Sequence, residues 1–152
     1  MTARRGFRWN AATSTLEIQV DGVVADAFTA TGQSRVREVM TATDVDAQNN
    51  TLTVAQIVGG IVVHTSVTGG GTVTTDTAAN IIAGSGGVGA LTANGQTIEV
   101  NYINDGTQVL TFAGGTNVTV ADTGQTVTAD EAAKVLFLRT SATAVTCYII
   151  GG

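Results

Sequence analysis

The sequence predicts an all-β protein: a β-sandwich or jelly-roll-like barrel with one or two short helical turns, plus an N-terminal β-hairpin element. Three observations carry that expectation. The C-terminal third breaks into strand-length runs, Thr97–Ile103, Gln108–Phe112, Lys134–Arg139 and Ala144–Ile150, with a shorter run, Asn117–Val120, between the second and third. Thr is the commonest residue, and its branched side chain suits the exposed face of a pleated sheet. There are 19 Gly and no Pro, so the turns must be built from Gly, Asn and Asp.

The elements follow in chain order. Residues 1–31 form an N-terminal arm and hairpin element, and 32–152 the main β domain. Phe7–Trp9 and Leu16–Val20 are alternating runs joined by a small polar loop, and Asp21-Gly22 turns the chain into Val23–Ala25. Arg35–Thr41 is read as a strand entering the main domain, and Asp44–Asn50 as a polar loop. Thr53-Val-Ala-Gln56 is a capping box, in which the hydroxyl and the amide side chain satisfy free backbone N–H groups of a helical turn that Gly59-Gly60 ends. Ile61–Val67 is a β-branched strand, Gly69–Gly71 a turn and Thr72–Thr75 a short strand. A second short helix spans Thr77–Ala83 and stops at Gly84. The two helix-then-Gly units are faintly alike, too faintly to be read as a repeat. In Thr97–Ile103, Ile98, Val100 and Tyr102 alternate with Thr97, Glu99 and Asn101, the pattern of a half-buried strand. Asp105-Gly106 then reads as the tight turn of a hairpin.

Composition bounds the function. Charged residues make up only 12% of the chain, against a typical share of about 25%. A surface so poor in charge points to faces covered by other subunits or by a lattice. The net charge of −5 argues against a nucleic-acid-binding body. Ile57–Val63, the most apolar stretch, falls far short of the ~20 residues that span a bilayer, so no membrane role is expected. No apolar segment follows the N-terminal arginines, which implies synthesis in the cytoplasm without a secretory signal. A single cysteine, Cys147, excludes an intrachain disulfide and reads as a buried small hydrophobe.

Reactive constellations are missing from the sequence. His64 is the only histidine, so one chain offers neither a histidine triad nor a multi-histidine metal site. Its place in Val62-Val63-His64-Thr65 puts it on the polar face of a strand or at a subunit contact. Asp44, Asp46, Asn49 and Asn50 lack the central Gly and the bidentate Glu of a calcium loop. The run Gly84–Gly89 has no Lys-Ser/Thr after it and no strand-then-helix setting, so it is not a phosphate cradle. Asp130 and Glu131 are adjacent at a turn and cannot face each other across a glycosidic bond. No cofactor, no metal and no enzymatic activity are expected. The cluster that looks most functional is Arg4, Arg5 and Arg8 with Phe7 and Trp9, an arm able to pair with acidic groups while two aromatics anchor it.

Several stretches together resemble a recurrent β domain of tailed-bacteriophage virion proteins. They are Leu52–His64, Thr74–Ile82, Gly95–Gly106, Thr116–Val120 and Arg139–Tyr148, within a match that covers roughly Val36–Ile150. Phe7–Phe28 is similar to short hairpins of phage fibre and head-associated proteins. The resemblance implies a structural protein of the virion surface, a trimeric capsid decoration (cement) protein that locks neighbouring major capsid subunits. Its partners would be the major capsid protein and its own copies in a homotrimer, its location the capsid surface, and its shell contacts Arg4, Arg5, Phe7, Arg8 and Trp9. The alternative is a receptor- or glycan-binding tip of a head or tail fibre, which the aromatic content of 5% disfavours.

Overall fold

A computed structural model describes residues 6–10, 15–20, 23–24, 40–65, 68–122 and 125–151, the first three stretches as backbone. The chain divides into two compact units, Met1–Arg37 and Glu38–Gly152. The protein is mostly β, with mixed sheets and two short helices.

The first unit holds a three-stranded antiparallel sheet, β1 (Gly6–Asn10), β2 (Thr15–Val20) and β3 (Val23–Val24). Phe7 faces Ile18 and Trp9 faces Leu16 in the register of β1 and β2, and Val20 faces Val23 in that of β2 and β3. The strand expected at Arg35–Thr41 lies outside the described residues up to Val39, and the described strand begins at Thr41.

In the second unit the chain crosses repeatedly between two sheets. β4 (Thr41–Val45), β6 (Gly60–His64), β8 (Thr97–Asn104), β10 (Val118–Val120), β12 (Glu131–Arg139) and β13 (Val145–Ile150) make a six-stranded sheet in the order β10-β13-β12-β8-β6-β4. β5 (Asn50–Leu52), β7 (Gly71–Thr75), β9 (Leu110–Ala113) and β11 (Thr126–Val127) make a four-stranded sheet in the order β11-β9-β7-β5. Each strand from β4 to β7 pairs in parallel with the strand two places on, because the intervening strand belongs to the other sheet. The last strands reverse direction, β12 running antiparallel to β8 and to β13.

This winding changes two expectations. Asp105-Gly106 does not close a hairpin: both flanks of β8 are taken by β6 and β12, so the chain must leave for the other sheet. The Asp105 N–H donates to the His64 carbonyl at 2.9 Å and the Gly106 N–H to Asn104 Oδ1 at 3.1 Å, fixing that exit. The loop expected over Asp44–Asn50 shrinks to four residues, since Asp44 and Val45 belong to β4 and Asn50 to β5.

The helices form where the caps demanded them. α1 (Val54–Gly59) has Thr53 as N-cap, whose backbone N–H donates to Gln56 Oε1 at 2.8 Å while its hydroxyl accepts from the Gln56 N–H at 3.4 Å. Gly60 ends it at φ 84°, a left-handed value that a Cβ disfavours. α2 (Ala78–Ala83) has Thr77 as N-cap and Gly84 as C-cap. The units are structurally equivalent at one constant spacing: Thr53, Ile57 and Gly60 correspond to Thr77, Ile81 and Gly84, and both isoleucines are buried. Asp76 joins them. Its carboxylate accepts from the Val54 N–H at the start of α1 at 3.0 Å, and from Thr77 N and Asn80 Nδ2 of α2 at 2.7 Å each.

One hydrophobic cluster draws on both sheets and both helices. It takes Val62, Val100, Tyr102, Val135, Phe137 and Cys147 from the six-stranded sheet, Leu52, Val73, Leu110, Phe112 and Val127 from the four-stranded one, and Ile57 and Ile81 from the helices. The alternation expected in β8 holds, with Val100 and Tyr102 buried and Glu99 and Asn101 exposed.

Candidate interaction surface

Arg4 and Arg5 lie outside the described residues. Phe7, Arg8 and Trp9 lie on β1 as backbone, with their side chains outside the described set.

His64 is a correction. It is neither on the polar face of the strand nor at a subunit contact but fully buried, beside Val62 on the inner side of β6. The Ala47 carbonyl can only accept, so the His64 Nε2–H donates to it, and Nδ1 accepts from the Tyr102 hydroxyl at 2.6 Å. Both ring nitrogens are thus occupied, and the ring anchors the crossing from β4 to β5. Burial pushes the Tyr102 hydroxyl well above the ordinary tyrosine range, which keeps the donated proton in place. Tyr102 in turn meets Phe112 edge-on, with ring centroids 5.1 Å apart, linking the two sheets.

Asn104, also fully buried, is a second polar node that the sequence did not mark. Its amide nitrogen lies 2.8 Å from the Gln108 carbonyl and 3.0 Å from those of Val127 and Thr128. This ties the exit of β8 to β11. Such a residue reads in sequence as an ordinary turn asparagine, because the two partners that reach β11, Val127 and Thr128, are distant in the chain. Cys147 is buried on the inner side of β13, and burial pushes its thiol up to about 12. These groups are spoken for by packing. Among the described residues, no three His, Cys, Asp or Glu side chains cluster as metal ligands.

The outward faces of the sheets differ sharply. On the four-stranded sheet the outward side is threonine: Thr51 lies opposite Thr74, and Thr111 is flanked by Thr72 and Thr126. On the six-stranded sheet it is largely apolar. Leu136 and Leu138 of β12 are half-buried, while Tyr148 and Ile150 of β13 are exposed, the last by 54%. Leu136 faces Tyr148 across the strand pair. Ile103 on β8 and Ile61 and Val63 on β6 extend the same side, all half-buried. The one ion pair found among the described residues, Lys134 with Glu99 at 3.0 Å, sits on this face. A groove of about 370 Å³ runs along it between Leu136, Leu138, Tyr148 and Ile150, with Ala121 and Asp122 at one side.

The apolar character of Leu136, Leu138, Tyr148 and Ile150 was present in the sequence as a lack of alternation. Lys134–Arg139 and Ala144–Ile150 contain apolar residues at both parities, which a strand with one solvated face does not need.

A separate cleft of about 760 Å³ lies along the β4 edge and α1. Thr41, Thr43, Thr53, Gln56 and Ser85 supply its polar groups, and Ala55, Val58 and Val88 its apolar ones. Among the described residues, no helix is long and apolar enough to cross a membrane.

Compared with protein-family profiles, curated proteins and solved structures, the chain has no significant match.

Proposed function

We propose that this chain is a structural protein of a tailed-bacteriophage virion that binds the outside of the capsid and stabilises the shell. The supporting observation is a β body with an apolar outward sheet face, in a chain whose described histidine and cysteine are sequestered in the core. Such a surface is suited to lasting contact with protein rather than to turnover of a small molecule. The two sheets around one core fit a sandwich-like architecture, the finer form of the expected all-β fold.

The partners proposed are the major capsid protein and further copies of this chain, assembled as a homotrimer on the capsid surface. The mechanism is thermodynamic. A protein that binds only the assembled lattice stabilises it by mass action. Several weak feet on one symmetric body bind as a single strong ligand. Arg4, Arg5, Phe7, Arg8 and Trp9 are the proposed feet, combining charge-assisted pairing with aromatic anchoring.

The cleft beside α1, with its hydroxyl and amide groups, favours the second reading, a glycan-binding fibre tip. No aromatic side chain lines that cleft, and saccharide sites ordinarily need an aromatic plane for stacking, so the first reading stands ahead.

The test is to mix the full chain with expanded, undecorated capsids and measure sedimentation and heat resistance. Deleting residues 1–10, which removes β1 from the first sheet, is expected to abolish binding while leaving the thermal unfolding of the second unit unchanged. Normal decoration by the truncated chain would refute the arm. Saturable binding to host cells with no affinity for capsids would replace the first reading by the second.

A further inference from the structure

Resting on the assembly role proposed above, we infer that the outer face of the six-stranded sheet is the surface through which copies of this chain associate.

Extent comes first. Six strands of 3 to 9 residues, spaced about 4.8 Å apart with a rise of about 3.3 Å per residue, present a plan area on the order of 500 Å². Corrugation by side chains raises the accessible area, which brings it to the scale of the roughly 800 Å² per partner that a stable interface buries. Single apolar residues on a surface are normal, but one sheet side carrying two apolar groups, Val63 with Ile103 and Leu136 with Leu138, Tyr148 and Ile150, set apart by Glu99, Asn101 and Lys134, is not. Tyr148 adds a rigid amphipathic side chain of the kind enriched at such contacts.

Charge selects the occupant. Among the described residues of this unit, Asp44, Asp46, Asp76, Glu99, Asp105, Asp122, Asp130 and Glu131 outnumber Lys134 and Arg139. A second copy brings the same acidic excess, so most approaches are repulsive. The outer face of the six-stranded sheet is different: its central acid, Glu99, is paired with Lys134, and its other acids lie at the margins, Asp122 beside the groove and Asp44 on the opposite edge strand. A copy can therefore dock there with little like-charge opposition, whereas a basic partner would be drawn to the acidic loops instead. In a cyclic assembly each copy turns this sheet toward the common axis.

The experiment uses the full chain in sedimentation velocity and light scattering across a concentration series, at low and high salt. The wild type is expected to associate, and to stay associated at high salt because the contact is apolar. Leu136→Glu combined with Tyr148→Glu is expected to weaken association by roughly 30-fold or more, the scale of losing a buried anchor. Thr72→Glu, on the outward side of the four-stranded sheet, is expected to leave it unchanged. Thermal melts report whether each variant folds; should Leu136→Glu not fold, Ile150→Glu at the exposed end of β13 tests the same face.

A wild type that is monomeric at every concentration would overturn the inference, as would face variants that fold and still associate. Capsid binding is scored separately. A monomeric wild type that decorates capsids removes this surface and keeps the capsid role. Should its face variants also lose the capsid, the occupant is the shell and not a second copy. Association that breaks on face substitution, in a chain that never binds capsids, keeps the surface and removes the capsid role.

Discussion

At the scale of single residues, two fully buried polar side chains show how the core uses what it encloses. His64 spends both ring nitrogens on partners far along the chain, and Asn104 its amide on Val127, Thr128 and the nearby Gly106 and Gln108, so neither is left to face a ligand. Cys147 has no such partner, and its neutral thiol simply fills space. Burial raises that thiol from 9.0 to about 12, so the unfolded chain gives up its proton before the folded one does. Stability contributed by the neutral thiol is therefore fully present below pH 9 and lost as pH rises toward 12. The expected outcome is a urea midpoint that falls across that window in the wild type and falls less in Cys147→Ala. At mildly alkaline pH a thiol reagent should react only after denaturant is added. Equal reaction rates with and without denaturant would contradict the burial.

At the scale of elements, the two capped helices depend on one carboxylate and two glycines. α1 and α2 have six residues each, too short to persist alone, so their caps and packing supply their stability. The glycines are unequal. Gly60 is left-handed at φ 84°, and a methyl there would meet only the movable tip of Met40. Gly84 has φ 70° and ψ 179°, a region nearly closed to other residues, and a methyl there would strike the Val88 carbonyl oxygen. Gly84→Ala should thus destabilise by about 1–3 kcal/mol from strain alone, and Gly60→Ala by about 1 kcal/mol. Chemical denaturation of both variants checks the order; a larger loss at Gly60 would show that the loop after α2 yields to the added methyl. The capping box and the stop at Gly60 were legible because each cap lies within a few residues of what it satisfies. The equivalence of the helices was only faintly legible, since Thr, Ile and Gly recur in it while most other positions differ.

At the scale of the whole unit, alternate crossing between sheets means that each sheet is filled by segments remote in sequence. A side chain's direction then matters more than its hydrophobicity. Phe137 and Leu136 are neighbours in β12, yet Phe137 is fully buried between the sheets and Leu136 looks outward. Phe137→Ala should cost about 3–5 kcal/mol, the range for deleting a large core side chain. Leu136→Ala should cost less than about 1.5 kcal/mol in the dissociated chain, because little of a cavity forms at a half-open site. Urea titrations of both at low protein concentration measure the contrast. Similar losses would mean that the outer side of β12 is covered within a single chain. The composition had pointed to hidden surface through its scarcity of charge, and the outward face of the six-stranded sheet gives that scarcity a location.

Sequence alone determined the mostly-β character, the two helical turns with their Thr and Gly ends, and the alternation within β8. All of these are set by interactions between residues close in the chain: a hydroxyl reaching a nearby N–H, a glycine accepting a left-handed φ, a pleat sending neighbours to opposite sides. Tertiary structure decided the rest. It sent Asp105-Gly106 across to another sheet instead of into a hairpin, because both sides of β8 were occupied. It drew His64 inward to meet Tyr102, and it gave β12 and β13 an apolar side facing out. Each of those outcomes turns on which strands become neighbours, and that pairing is settled by the collective burial of one core.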